Sequence, residues 1–235
     1  MTTDHPTLHT VSTQPFADPQ AVKSYAEGPP RMVPGFADMQ RMCLLLMAEK
    51  APPDARILVL GAGGGLELEV FANAQAGWQF DGVDPSAAML QLAEARLHAH
   101  TARVRLHQGY VDAAPDGPFD AACCLLTLHF IARDERRRTL AELRRRLKPG
   151  APFVAAHFSF PQQPGRREQW LARCTAFAVS SGMDPVLAQQ REAAIGAQLP
   201  FLSPEDDEAV MHEAGFSGIE LFYAGFGFRG WVASA

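Results

Sequence analysis

A glycine-rich turn between a predicted strand and a predicted helix constrains the fold more than any other feature of this sequence. The apolar run Arg56–Leu60 is short enough to be a buried strand, and residues 66–75 have helical spacing. The turn that joins them contains Gly61, Gly63 and Gly65. Glycine permits backbone angles that other residues avoid, so a ligand can lie against the main chain there. Such a unit predicts an α/β sheet that binds its ligand at the carboxyl edge of the strands.

The alternation of strand and helix patterns continues to about residue 158 and predicts the fold class. Helices are expected at residues 86–100 and 136–147, and strands at 78–83, 103–107, 119–128 and 152–157. Residues 219–224 and 226–232 alternate like two strands joined by a tight turn. Together these patterns predict an α/β fold with a doubly wound, mostly parallel seven-stranded sheet of Rossmann-like type and a C-terminal antiparallel hairpin.

The domain organisation follows from where this alternation starts and stops. Residues 1–35 contain clusters of Gly and Pro that predict an irregular arm, and a helix is expected at 37–50. We therefore expect an N-terminal arm and lid helix over 1–50 and the main domain over 51–235. Within that domain, residues 159–202 have mainly helical patterns and predict an inserted cap. The arm and the cap are expected to close over the ligand pocket.

Composition narrows the class of partner. The net charge is −5, so the chain lacks the positive excess that nucleic-acid binding requires, and no direct nucleic-acid partner is expected. No segment approaches about 18 uninterrupted apolar residues, and the first residues do not resemble a signal peptide. A cytoplasmic protein without a membrane span is the resulting expectation. The four cysteines form no C-x-x-C pair, and no metal site is expected.

An acid at the end of the second predicted strand complements the glycine turn. Asp84 lies 23 residues after Gly61, near the spacing of about 20 that is typical of a carboxylate binding ribose hydroxyls. A carboxylate can accept both hydrogen bonds of a diol, which explains why an acid is needed there. The nucleotide part of a cofactor is therefore predicted at this edge of the sheet.

The glycine spacing favours one cofactor class over another. A dinucleotide fingerprint requires Gly or Ala where this chain has Leu66. The spacing Gly61-x-Gly63-x-Gly65 instead resembles the first motif of the class I S-adenosylmethionine-dependent methyltransferases. Further segments resemble that family in the same order, namely Gly109-Tyr110-Val111, Phe119-Asp120-Ala121-Ala122, Leu126-Thr127-Leu128-His129-Phe130 and Leu147-Lys148-Pro149-Gly150.

The resemblance implies adenosylmethionine as the cofactor, adenosylhomocysteine as its product, and a set of binding residues. That set consists of Phe36, Gly61, Ala62, Gly63, Gly65, Asp84, Pro85, Met89, Tyr110, Val111 and Leu126. One departure stands out, because the family usually has an acid for the methionine ammonium where this chain has Val59. Glu67 or backbone carbonyls of the turn are the two alternatives for that role.

The outer parts of the chain resemble one branch of the family, the carboxy-S-adenosylmethionine synthases that serve tRNA wobble-uridine modification. The segments concerned are Arg31-Met32-Val33-Pro34-Gly35-Phe36, Gln190-Arg191 and the C-terminal stretch 214–228. Three site positions differ from that branch: Phe36 replaces a tyrosine, Tyr110 an aspartate and Leu125 an asparagine. The resemblance with these differences implies a relative that uses ordinary adenosylmethionine.

Candidate catalytic residues follow from the same placement. His129 and His157 are expected at the carboxyl ends of the fourth and fifth strands, where a histidine can act as a base or serve the fold. Arg191 is expected to bind a substrate carboxylate or to be a surface residue. The arginine-rich stretch 136–146 is interpreted as a salt-bridged exposed helix.

The leading hypothesis is methyl transfer to a small-molecule acceptor. The alternatives are carboxy-S-adenosylmethionine synthesis and a non-catalytic adenosylmethionine-binding module, whereas Leu66 disfavours a dinucleotide oxidoreductase. The oligomeric state stays open, with a homodimer as one option.

Overall fold

The structure, a computed structural model, describes residues 27–235. Its helices are α1 Gly28–Met32, α2 Phe36–Ala48, α3 Leu66–Ala74, α4 Ala87–Arg96, α5 Arg133–Arg145, α6 Arg166–Ser180, α7 Pro185–Gln198 and α8 Pro204–Glu213. Its strands are β1 Arg56–Leu60, β2 Gln79–Asp84, β3 Val104–Gln108, β4 Ala121–Leu125, β5 Pro152–Phe158, β6 Ser217–Gly225 and β7 Phe228–Ser234. Within these residues no helix is both long enough and apolar enough to cross a membrane.

The seven strands form one sheet in the order β3-β2-β1-β4-β5-β7-β6. Strands β1 to β5 pair in parallel, and β7 runs antiparallel between β5 and β6. The predicted doubly wound sheet with a terminal hairpin is therefore confirmed. The order reverses direction between β1 and β4, and the crevice at such a switch point is where open α/β sheets bind ligands.

The core lies on both faces of the sheet because side chains of a strand alternate in direction. Ile57 and Val59 of β1 pack in the cluster on the face that α2 and α3 cover. Leu58 and Leu60 pack in the cluster on the opposite face, with residues of α5 and α8. The near-continuous apolar runs of the central strands match this burial on two sides.

The N-terminal part differs from the predicted irregular arm. Gly28-Pro29-Pro30 begins the short helix α1, because proline is tolerated in the first turn, where its missing N–H has no helical partner. The side chain of Tyr223 donates a hydrogen bond to the carbonyl of Pro34 at 2.5 Å, which ties the following loop to β6. Residues 1–26 of the predicted arm lie outside the described residues.

The helix predicted at 37–50 is α2, and it packs firmly on the sheet. Met39, Cys43 and Met47 are fully buried in the core. Two helices, α6 and α7, occupy the stretch 159–202, as its helical patterns indicated. In the C-terminal hairpin, Phe226 lies in the turn with a φ of 48° and not in the second strand, because the chain reverses there.

The prediction that the arginine-rich helix is exposed is wrong for two of its residues. Arg136 is fully buried, and Arg146 is also buried and pairs with Glu142 at 2.7 Å. The guanidinium of Arg136 binds the buried carboxylate of Asp207 in α8 and also donates to the carbonyl of Ile131 at 3.0 Å. This ion pair fastens α5 to α8 beneath the sheet.

The charge of Asp207 is stabilised by its neighbours. Burial alone raises the pKa of this carboxyl, but nearby His157 and Arg136 outweigh burial and lower the pKa below its ordinary value. Because the folded-state pKa lies below the unfolded value of about 4, the pair adds stability above that pH. That stability is lost as the pH falls through the folded-state pKa.

We expect Arg136→Met to lower the free energy of unfolding by about 3–5 kcal/mol at pH 7, because it leaves the Asp207 carboxylate buried without its cation. Urea unfolding followed by circular dichroism measures this loss. Replacing both partners, as in Arg136→Met with Asp207→Leu, should recover much of it. The exposed Arg138→Ala is the control and should change the midpoint far less. Equal midpoints for Arg136→Met and Arg138→Ala would contradict the assignment.

Candidate functional site: the glycine turn and the carboxyl edge of the sheet

The glycine turn after β1 is held against the end of β2. The amides of Gly61 and Ala62 donate to the carbonyl of Val83 at 2.8 and 3.0 Å. Gly61, Gly63 and Gly65 have φ angles of 76°, 47° and 79°, a region that side chains disfavour. The glycines are therefore required by the backbone path of the turn itself.

Asp84 at the end of β2 fixes the turn and the next helix at the same time. One carboxylate oxygen accepts the amide of Gly63 and the other accepts the amide of Ser86, each at 2.9 Å. The hydroxyl of Ser86 in turn caps α4 by accepting the amide of Met89 at 3.3 Å. A carboxylate has about four acceptor positions, so two remain for the hydroxyls of a ribose.

The acidity of Asp84 reflects its surroundings. Partial burial raises the pKa of this carboxyl above its ordinary value, while the hydrogen bonds from Ser86 and Gly63 act in the opposite direction. A hydroxyl pair that donated to the free positions would favour the ionised form in the same way as the two amides. The side chain is thus suited to accept hydrogen bonds from a neutral polyol.

The residues predicted to flank the adenine lie beside Asp84. The amide of Gly109 donates to the Asp84 carbonyl at 3.1 Å, which brings the loop after β3 to the same edge. Val111 is buried in the core with Val83, and Tyr110 is half-buried. Pro85 and Met89 differ in access, because Pro85 is half-buried whereas Met89 is 1% exposed and serves as packing.

The end of β4 closes the site from the other side. A Cβ atom at Gly61 would lie 2.0 Å from the hydroxyl of Thr127, so β4 approaches the turn too closely for any side chain. Leu126 has a φ of 54°, a strained conformation for a branched residue and one that is found at functional sites. Thr127 was not predicted as a site residue, because its contact depends on the adjacency of β1 and β4 and has no signal in the glycine spacing.

His129 lies deep in the structure, away from solvent. Its Nδ1 accepts the amide of Phe158 at 3.3 Å, and its ring contacts Phe130 and Phe158. Burial, together with the electrostatic effects of His157 and Arg136, lowers the pKa of His129 well below its ordinary value. A neutral imidazole of low pKa is a weak base, so this geometry favours hydrogen bonding over proton abstraction.

His157 lies beside the buried carboxylate of Asp207. Its Nε2 lies 3.1 Å from a carboxylate oxygen of Asp207, and its ring packs against Trp231. The interpretation of His157 as a structural residue agrees with this position.

Arg191 borders an apolar pocket between α1, α6 and α7. Its guanidinium lies 3.8 Å from the sulfur of Met32, and among residues 27–235 it forms no ion pair. The pocket is lined mainly by apolar side chains, including Phe158, Leu171, Met183 and Ile195. Phe158 ends β5, so the pocket lies on the same edge of the sheet as the glycine turn. Phe36, at the start of α2, is half-buried against the core.

Comparison with known proteins agrees with this geometry. Residues 57–150, which contain the turn, Asp84 and the end of β4, match the family described as "Methyltransferase domain". The predicted resemblance to the class I adenosylmethionine-dependent methyltransferases is supported by this match. A relative named carboxy-S-adenosyl-L-methionine synthase, from Campylobacter fetus, is 24% identical over 92% of each chain. A relative of the same name from Methylococcus capsulatus is 26% identical over 86% of each.

Solved methyltransferases have the same fold. Phosphoethanolamine N-methyltransferase 2 from Haemonchus contortus, in complex with S-adenosyl-L-methionine, superposes with a TM-score of 0.67 at 15% identity. The match covers 94% of this chain and 58% of that longer protein. The predicted family, enzyme class and cofactor are thus confirmed for this methyltransferase, while the roles of individual site residues stay predictions.

We expect Gly63→Asp to abolish measurable binding of S-adenosylhomocysteine. The new side chain would sit at a φ of 47° and place a second carboxylate beside Asp84, which the Gly63 amide now contacts. Isothermal titration calorimetry measures the affinity. The control is Gly150→Asp, which has a φ of 76° and open space at a turn far from the site. Unchanged affinity in Gly63→Asp would refute the placement of the cofactor.

Proposed function

We propose that this methyltransferase transfers a methyl group from adenosylmethionine to a small molecule with an apolar body and an anionic group. The observation that carries the proposal is the pair of free acceptor positions on Asp84, held beside the glycine turn by two amide hydrogen bonds. A nucleoside diol is the ligand that this carboxylate suits best. When bound, adenosylmethionine supplies a methyl carbon that its sulfonium has already activated.

The residues around the turn would hold and orient the cofactor. Asp84 accepts the ribose hydroxyls, the backbone of Gly61–Gly65 lies along the methionine part, and Val111 with Tyr110 borders the adenine. Leu126, at the end of β4, faces the reacting edge from the neighbouring strand. Alignment of the acceptor with the methyl carbon and exclusion of water then supply most of the catalysis, because the electrophile needs no further activation.

The pocket beside Arg191 supports the choice of acceptor. Its lining is mainly apolar but includes Glu192, and the Arg191 guanidinium has no ion-pair partner among the described residues. A guanidinium binds a carboxylate through two parallel hydrogen bonds, so an apolar carboxylic acid combines both requirements. The helices α6 and α7 that form the pocket lie in the stretch predicted as the cap.

A second candidate is synthesis of a carboxylated adenosylmethionine. Its support is that relatives of that name match 86–92% of the chain. Phe36, Tyr110 and Leu125 differ from that branch at the site, which favours ordinary methyl transfer. A non-catalytic cofactor-binding module is a third candidate, supported by the absence of an acid at Val59.

We propose a cytoplasmic location for this protein. The four cysteines are free thiols, which suits a reducing compartment such as the cytoplasm. The net charge of −5 supports a small-molecule substrate over direct binding of nucleic acid. Assembly as a homodimer is part of the same proposal.

Mass spectrometry of the ligand that copurifies with the protein separates the candidates. We expect adenosylmethionine or adenosylhomocysteine, because the site differs from the carboxylating branch at three positions. A species heavier by one CO2 would instead support the carboxylated cofactor. Titration of the ligand-free protein tests the third candidate, since an adenosylmethionine dissociation constant in the millimolar range or weaker favours a module over an enzyme.

We expect Arg191→Ala to raise the KM of a carboxylate acceptor about tenfold or more, because one charge-assisted pair is lost, while adenosylhomocysteine affinity changes little. Acceptors found by thermal shift with adenosylhomocysteine present provide the assay. Arg166→Ala, at the exposed start of α6, is the control. If Arg191→Ala weakens the binding of the acceptor and of adenosylhomocysteine equally, Arg191 does not bind the acceptor carboxylate.

A further inference from the structure

A buried carboxylate lies directly below the glycine turn. Glu67, the second residue of α3, is only 7% exposed. The hydrogen bond that its carboxylate accepts comes from its own backbone amide. Among residues 27–235 no arginine, lysine or histidine forms an ion pair with it. A buried acid is rarely left without a cation or several hydrogen-bond donors. A bound ligand with a positive charge would supply the partner that Glu67 lacks.

The position of Glu67 relative to β1 is informative. Its charge acts on the thiols of Cys43 in α2 and Cys123 in β4 and raises the pKa of both beyond the effect of burial. Cys123 is the neighbour of Val59 in the β1–β4 register, and both belong to the same core cluster. Helix α3 packs on the face of the sheet toward which the Val59 side chain points, and Glu67 is buried in the first turn of that helix.

The ionised form of Glu67 is disfavoured while no cation lies beside it. Burial, the larger cause, and repulsion from Asp84 raise the pKa of Glu67 to about 8, against the effect of its own amide. A cation placed between the turn and the sheet would favour the ionised form and relieve the penalty of burial. Both acids flank the glycine turn, because Asp84 accepts the amide of Gly63 and Glu67 lies two residues after Gly65.

We propose that the Glu67 carboxylate binds the ammonium of the methionine part of the cofactor, so that an acid from α3 replaces the acid absent at Val59. The inference rests on the proposed function, because it requires an amino-acid cofactor along the glycine turn. Of the two alternatives that the sequence left open for the ammonium, it favours the Glu67 side chain over the backbone carbonyls of the turn.

A purely structural role explains Glu67 less well. Acids in the first turn of a helix stabilise it, but such acids need not be buried. Glu69 lies in the same first turn, is partly exposed and pairs with Arg96 at 2.9 Å. Glu69 therefore already stabilises the start of α3, and it provides a matched control on the same helix.

Calorimetry with two probes tests the inference. S-adenosylhomocysteine carries the ammonium, whereas 5′-deoxy-5′-methylthioadenosine has the same nucleoside without the amino-acid part. We expect Glu67→Gln to raise the dissociation constant of S-adenosylhomocysteine at least about tenfold, because a buried charged partner is lost. The dissociation constant of the shorter probe should change by less than about twofold. Glu69→Gln should leave the affinities of both probes unchanged.

A rescue variant strengthens the test. Val59→Asp combined with Glu67→Gln returns an acid to the same crevice from β1, and we expect it to regain affinity for S-adenosylhomocysteine alone. Equal weakening of both probes by Glu67→Gln, or no weakening, overturns the inference whether or not the double variant folds. Failure of the unaltered protein to bind either probe would instead refute the proposed function. Thermal unfolding of each variant checks that the fold is retained.

Discussion

The hydrogen bonds of Asp84 to the amides of Gly63 and Ser86 are the interaction on which the site depends. They join the glycine turn after β1 to the start of α4, so both segments are held at one edge of the sheet. The acid predicted to bind the ribose is therefore first a structural element. Because its partners are backbone amides at fixed positions, the free acceptor positions are preorganised before any ligand arrives.

Two buried acids show how structural and binding roles of charge can be distinguished. Asp207 is paired with Arg136 and neighboured by His157, so its pKa is lowered. Glu67 has a comparable burial but no cation within the described chain, and its pKa is raised. An acid paired with a cation inside the protein fastens one helix to another, whereas a buried acid without a cation beside the glycine turn is where we propose that a ligand supplies one.

The sequence predicted local structure well because the relevant signals are short-range. Strand β1, helix α3 and the Ser86 cap follow from patterns within a few residues, and Asp84 was predicted to bind ribose from its spacing to the glycine turn. Arg136 could not be predicted as buried, because its partner lies 71 residues away and the surrounding arginines are typical of a solvated helix. Helix α1 was missed because Gly28-Pro29-Pro30 also matches an irregular turn.

The cofactor is easier to predict than the acceptor, because the sheet and its loops are proposed to hold the first and helices α6 and α7 the second. The parts that hold the nucleoside are loops at the ends of parallel strands, where the sheet imposes the geometry and only a few residue types fit. The pocket beside Arg191 is formed by α6 and α7, whose packing depends on contacts among distant apolar residues such as Met32 and Leu171. Many sequences satisfy such packing, so under the proposed function α6 and α7 could change the acceptor while the sheet and the glycine turn keep the methyl donor in place.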